Sequence, residues 1–252
     1  MQSTESAWRE RYGPWAIVTG ASDGIGRAIA DQLAQAGLNL LLVARRQAVL
    51  DQLATDWRNR YSIKTMALAV DLSQPDAVEQ VLSAAQALDV GLLVACAGFG
   101  TTGRFMDADP TQELNMLAVN CQAVLLLSQQ IGQRLAKRGH GGIILMSSLV
   151  AFQGVPLVAF QGVPLAAHYA ATKAYVQFLA EGLHEEMAPL GVDVLASSPG
   201  PVHSDLARYT AVSLPAPINA WAWLPNQKTS PAQLWRRWDI RPPYAPAGSR
   251  AS

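Results

Sequence analysis

Short apolar runs alternate with stripes of helical period along most of this chain, and that alternation leaves few folds open. Trp15-Ala-Ile-Val-Thr19, 39–43, 64–70, 91–95, 142–146 and 193–196 read as strands, bounded by glycine or polar residues. Between the first two, Ile25, Ala28, Ile29 and Leu33 recur at helical spacing, and Gly37 supplies a stop. Val49, Leu50, Leu53 and Trp57 form a second stripe, and Ser73-Gln-Pro-Asp76 is a helix start. Asp109-Pro110 opens a long helix to about Arg138, closed by the Gly139-His-Gly-Gly142 turn, and another helix runs from His168 to about Leu190. Most strands are apolar throughout, so both faces of their sheet need cover. The chain is predicted to be α/β, a doubly wound, mostly parallel sheet with helices on both faces.

At 252 residues and 50% apolar, the chain can bury one large core. Nineteen basic residues balance nineteen acidic ones, which removes the electrostatic case for nucleic acid or an acidic membrane surface as partner. No apolar run reaches the roughly 20 residues of a membrane span. Met1-Gln-Ser-Thr-Glu-Ser lacks the basic and apolar regions of a signal peptide. Cys96 and Cys121 share no metal-ligand spacing, and no metal cluster is evident. Reduced thiols in the cytoplasm are the expectation.

Two stretches carry chemistry. Thr19-Gly-Ala-Ser-Asp-Gly-Ile-Gly26 sits between the first strand and the first helix. Glycines there let backbone N–H groups approach a pyrophosphate, which a helix N-terminus favours, as in Rossmann-type dinucleotide folds. Tyr169-Ala-Ala-Thr-Lys173 places a phenol and an ammonium one helical turn apart on one face. A neighbouring ammonium pulls a phenol down from pH 10, as a general acid for carbonyl reduction requires.

Thr-Gly-x-x-x-Gly-x-Gly is the glycine spacing of the short-chain dehydrogenase/reductase family, and the resemblance continues in order along residues 12–206. It takes in Asp71-Leu72, Ala97-Gly98, Asn120, Ser148, Tyr169-x-x-x-Lys173 and Pro199-Gly200. The chain is similar to bacterial short-chain reductases and to ketoacyl-reductase and hydroxysteroid-dehydrogenase relatives. The resemblance implies that Tyr169 is the proton donor or acceptor and that Lys173 lowers its pKa and holds the nicotinamide ribose. Ser148 would bond the substrate carbonyl, and Asn120 would anchor a water linking Lys173 to solvent. It implies cofactor contacts from Gly20, Ser22, Asp23, Gly24, Ile25, Gly26, Arg45, Asp71, Leu72, Ala97, Gly98, Pro199, Gly200, Val202 and Ser204, with Tyr169 and Lys173.

Cofactor choice rests on Leu42-Val-Ala-Arg45-Arg46. NAD-binding folds usually place a carboxylate there, whereas two arginines suit a 2′-phosphate. Asp23 in the glycine loop counts the other way. NADP(H) is favoured, with NAD(H) open, and the substrate is a small carbonyl or alcohol. Ala95-Cys96-Ala97-Gly98 departs from the family's Asn-Asn-Ala-Gly and lacks an amide that would brace the backbone. Ser204 stands where the family often has Thr. His168 is expected to be a solvated or hydrogen-bonded loop histidine and not a second base. The long helices at 110–138 and 168–190 predict self-association as a homodimer or homotetramer, as in relatives.

Residues 150–157, Val-Ala-Phe-Gln-Gly-Val-Pro-Leu, are repeated at once as 158–165. Ser148 therefore precedes Tyr169 by 21 positions, and removing one copy restores the family's 13. Two readings remain: an enlarged surface loop on a working reductase, or a nucleotide-binding protein with impaired turnover. From Ala207 onward Asp239 is the only acid, and four of seven tryptophans and seven of fifteen prolines fall there. Residues 1–206 are predicted to form one cofactor-binding and catalytic domain. Residues 207–252 form an atypical tail, expected to be irregular or poorly ordered.

Overall fold

A strand that is apolar on both faces has to be covered twice, and the helices between the strands do so. The computed structural model describes residues 9–152 and 165–200. There, β1 (Trp15–Thr19), β2 (Asn39–Ala44), β3 (Thr65–Ala69), β4 (Val90–Ala95), β5 (Gly141–Met146) and β6 (Val192–Ser197) form one sheet. Its order is β3-β2-β1-β4-β5-β6, and every pairing is parallel. The order reverses between β1 and β4, and a doubly wound sheet opens a ligand crevice at that point, beyond the carboxyl ends of the strands.

The two-residue period of the strands divides the core. Ile17, Leu41, Leu93 and Ile143 point to one face, where α3 (Ala77–Ala84), α5 (Ala123–Arg138) and α6 (Ala167–Met187) cover them. Ala16, Val18, Leu40, Leu42 and Leu92 point to the other, under α1 (Gly24–Gln35) and α2 (Gln47–Tyr61). Each fully buried Leu, Ile or Val contributes about 1.5–3 kcal/mol relative to exposure. At the amino end of the sheet, Arg11 makes two bonds to Asp193, at 2.7 and 2.9 Å, and Tyr12 donates to the same carboxylate at 2.6 Å. This ties the helical turn 9–12, which the periodicity did not reveal, to β6.

The expected helix from 110 to 138 is not regular. It consists of α4 (Pro110–Leu117), a π-helical turn (Ala118–Gln122) and α5. Asp109 caps its start by accepting from Thr111 N, and Gly139, at φ 79°, closes its end. The third helix starts at Ala77, later than the Ser73-Gln-Pro-Asp76 signal suggests, because Asp71 draws Ser73 into a turn through two bonds of 2.9 and 3.0 Å. The continuous segment Pro110–Arg138 has the length and hydropathy of a membrane span, against the expectation of no such run. Half of its most apolar window is buried, and Val119, Val124, Leu127, Ile131 and Leu135 enter the core. Val202, Ser204, most of the tandem repeat and the 207–252 tail lie outside the described residues.

Candidate active site

The crevice begins where β1 runs into the glycine loop. Gly20 has φ 68°, and a Cβ added there would lie 2.9 Å from Ala97 Cα, so only glycine lets this loop touch the turn after β4. A Cβ at Gly26 would meet Gly20 O at 2.3 Å, which fixes the close approach of α1 to the loop. Thr19 completes the corner, its Oγ1 accepting from Cys96 N and Ala97 N, both at 3.0 Å. The bracing expected to be lost with the missing amide at position 96 is supplied from β1.

Around this corner stand the described residues for which the resemblance implies cofactor contacts. Gly24 and Ile25 open α1, with Asp23 at its N-cap, so the helix presents first-turn N–H groups suited to phosphate oxygens. Arg46, at the N-cap of α2, donates to Ser22 O at 3.2 Å and Ser22 Oγ at 3.3 Å. Arg46 is therefore the base brought to the glycine loop, and Arg45 lies exposed beside it. Asp71 and the buried Leu72 follow β3, Ala97 and Gly98 follow β4, and Pro199 and Gly200 follow β6, all along the carboxyl edge. Backbone surfaces that exclude a Cβ, a helix N-terminus and an arginine at the loop fit a phosphorylated dinucleotide.

The side chains for which the resemblance implies a catalytic role come from the end of β5, the π turn and α6. Lys173 is buried, and its Nζ donates to Met146 O at 2.8 Å. It lies 5.8 Å from the centroid of the Tyr169 ring. An added methyl at Gly98 would stand 3.0 Å from Asn120 Oδ1 and 3.2 Å from Lys173 Nζ, so the amide and the ammonium both lie close over that glycine. Ser147 Oγ donates to Lys173 O at 2.9 Å, which docks α6 on the end of β5. Ser148 Oγ donates to Pro199 O at 3.4 Å and lies near enough to the Tyr169 phenol to draw its pKa down. The two are twenty-one residues apart in sequence.

Burial pushes the Tyr169 phenol above its usual range, and the nearby Ser148 hydroxyl pulls it part of the way back. The expected depression by Lys173 is not among the causes, because the ammonium is turned toward Met146 O. Burial lowers Lys173 itself to about 8, leaving it mostly charged at neutral pH. The Cys96 and Cys121 thiols are pushed up by burial to about 12 and about 11, too high for thiolate chemistry near neutrality.

Asn120 occupies the π turn, whose inserted residue re-aims the helix face. Its Oδ1 accepts from Phe99 N at 3.1 Å, and its Nδ2 donates to Phe99 O at 2.9 Å and Thr172 Oγ1 at 3.0 Å. The amide thus fastens the loop after β4 to α6. Gly100, Thr101, Glu113 and Thr172 join the site without a signal strong enough to single them out. The ring of Tyr169 lies against Gly100, where an added Cβ would come within 2.9 Å of it. The glycine pair at 98 and 100 was the one available hint.

A family model described as short chain dehydrogenase matches residues 14–212. Over 189 residues the chain is 36% identical to the very-long-chain 3-oxoacyl-CoA reductase of Podospora anserina, covering 73% of this chain and 53% of that protein. It is 34% identical over 194 residues to the 7beta-hydroxysteroid dehydrogenase of Clostridium sardiniense, with 77% and 71% covered. A solved short-chain dehydrogenase from Sphingobium yanoikuyae in complex with NADPH matches with a TM-score of 0.72 and 30% identity, over 78% of this chain and 75% of that one. The chain spans about half the length of the P. anserina protein.

Proposed function

The chain belongs to the short-chain dehydrogenase family, and from that premise we propose that it interconverts a carbonyl and an alcohol with NADP(H) as hydride partner. The observation that carries this reading is the meeting of Tyr169, Ser148 and Lys173 at the carboxyl edge, beside the glycine loop. NADP(H), when bound, supplies or accepts the hydride. The Tyr169 hydroxyl gives its proton to the oxygen that gains charge during reduction, and takes it back in oxidation. Ser148 orients the phenol and offers a second donor to that oxygen. Lys173, charged and buried behind the ring, would hold the nicotinamide ribose. Asn120 keeps the loop after β4 on α6.

Arg46 supports NADP(H) over NAD(H), since a guanidinium held at the glycine loop suits a 2′-phosphate. Exposed Leu149 and Phe152 follow Ser148 directly and favour a substrate with an apolar body, in keeping with relatives named for oxoacyl-CoA and hydroxysteroid chemistry. The nearness of Ser148 to Tyr169 supports the active reading over an impaired nucleotide-binding protein, because Ser148 still bears on the phenol despite the repeat between them. A cytoplasmic setting accords with the two free cysteines. Exposed Leu114, Leu117 and Leu125 on the long helix, with Tyr175 and Phe178 on α6, support self-association as a homodimer or homotetramer. A monomeric mass by light scattering would overturn that part. The activity is tested by oxidation of NADPH and NADH against aldehydes, ketones and acyl thioesters. Cofactor binding with no turnover of any of them would leave only the binding-protein reading.

A further inference from the structure

The residue before Tyr169 belongs to a cluster for which the reaction above has no use. Glu113, on α4, is largely buried and its two carboxylate oxygens are both engaged. Oε1 accepts from Thr101 Oγ1 at 2.6 Å, and Oε2 is paired with His168 Nδ1. A carboxylate only accepts, so Nδ1 of His168 carries the hydrogen. The three residues come from three elements: the loop after β4, α4, and the first turn of α6. Thr101 follows Gly100, on which the Tyr169 ring rests, and His168 precedes Tyr169. The same loop is tied to the start of α6 a second time, by Gly103 N donating to Leu165 O at 2.8 Å.

We propose that Glu113 is a positioning residue, clamping Thr101 to His168 so that Gly100 stays pressed against the ring of the proton-donating tyrosine. Asn120 holds Phe99 two helical turns further along the same helix, so the loop is fastened on both sides of Gly100. Without the Glu113 clamp, loop and helix are held on that side of Gly100 by the Gly103–Leu165 bond alone, and the aim of the phenol loosens. The inference rests on the reading of Tyr169 as the acid, and its test separates the two.

Tyrosines labelled at Cζ are titrated by NMR in the NADPH-free protein, with Tyr169→Phe identifying the resonance. In Glu113→Ala the Tyr169 phenol titrates at a lower pH than in the parent, because the ring loses cover and burial is what raises it. With a carbonyl that the parent reduces, kcat falls by about tenfold or more while NADPH Kd stays within about twofold. Glu113→Gln, whose amide oxygen still accepts from Thr101 and whose NH2 donates to His168 Nδ1 once the imidazole hydrogen moves to Nε2, restores most of both. Thr101→Val moves both readouts the same way by less, and serves if Glu113→Ala does not fold. An unchanged titration and an unchanged kcat in the folded variants overturn the clamp. If the parent reduces nothing, the proposed function fails and the titration alone decides the clamp.

Discussion

Lys173 sits where two demands oppose each other. The proposed function needs a cation near the nicotinamide ribose, yet burial disfavours that charge and lowers its pKa to about 8 from 10.5. Between those values the unfolded chain holds the proton more tightly than the folded one, so stability from this group rises with pH across the window. The gain is on the order of 1–3 kcal/mol. Lys173→Met removes it, at the cost of leaving Met146 O without its donor. The difference in urea midpoint between parent and variant should therefore grow from pH 8 to 10.5, in the parent's favour. A difference independent of pH would show that the amine is not desolvated. Carbonyl reduction in the same variant should fall about 100-fold or more. Arg46 allows a second residue-scale test. Arg46→Ala should weaken NADPH binding at least about tenfold, since a charge-assisted contact contributes about 1.5–3 kcal/mol, and leave NADH nearly unchanged. Equal weakening of both cofactors in titration calorimetry would reduce Arg46 to a brace for Ser22.

Elements were legible where period and punctuation agreed. The strands at 15–19, 39–44 and 90–95 stand within a residue of their apolar runs, and Gly139 ends its helix as expected. The glycine loop and the Tyr169–Lys173 pair stood out because each is a short motif of fixed spacing, and Ser148 stood out only by its place after the fifth strand. What was not readable depends on distant partners. The π turn adds a residue inside an apolar run that looks helical either way, so the turn around Asn120 left no trace in the pattern. Thr19 bracing Cys96, Arg46 rather than Arg45 at Ser22, and Glu113 between Thr101 and His168 join residues far apart in sequence. One helix end offers a direct check of local energetics. Ser62 closes α2 at φ 56°, in the region that favours glycine, and it is exposed. Ser62→Gly should stabilise the protein by roughly 0.5–1 kcal/mol in thermal melting. A lower Tm would mean that the Ser62 side chain contributes more than its strained backbone costs.

At the scale of the molecule, the question is whether an insertion between two catalytic residues is tolerated. Ser148 is anchored after β5 through Pro199, and Tyr169 is carried by α6, which packs on the sheet. Both anchors are independent of the connection, and lengthening a loop by eight residues costs only a fraction of about 1 kcal/mol in chain entropy. Deleting 158–165 should leave the fold and NADPH binding intact and raise turnover by restoring the spacing of 13 residues between Ser148 and Tyr169. Lower turnover after deletion would mean that the second copy has become part of the site.

The central claim is that Tyr169 delivers the proton in an NADPH-dependent reduction, and the single-turnover rate of NADPH oxidation in Tyr169→Phe tests it most directly. The phenol's hydroxyl is lost while the ring on Gly100 is kept, so NADPH binding should be unchanged and the rate should fall about 100- to 10,000-fold. A Tyr169→Phe protein that oxidises NADPH with the same carbonyl at the parent's rate would contradict the account.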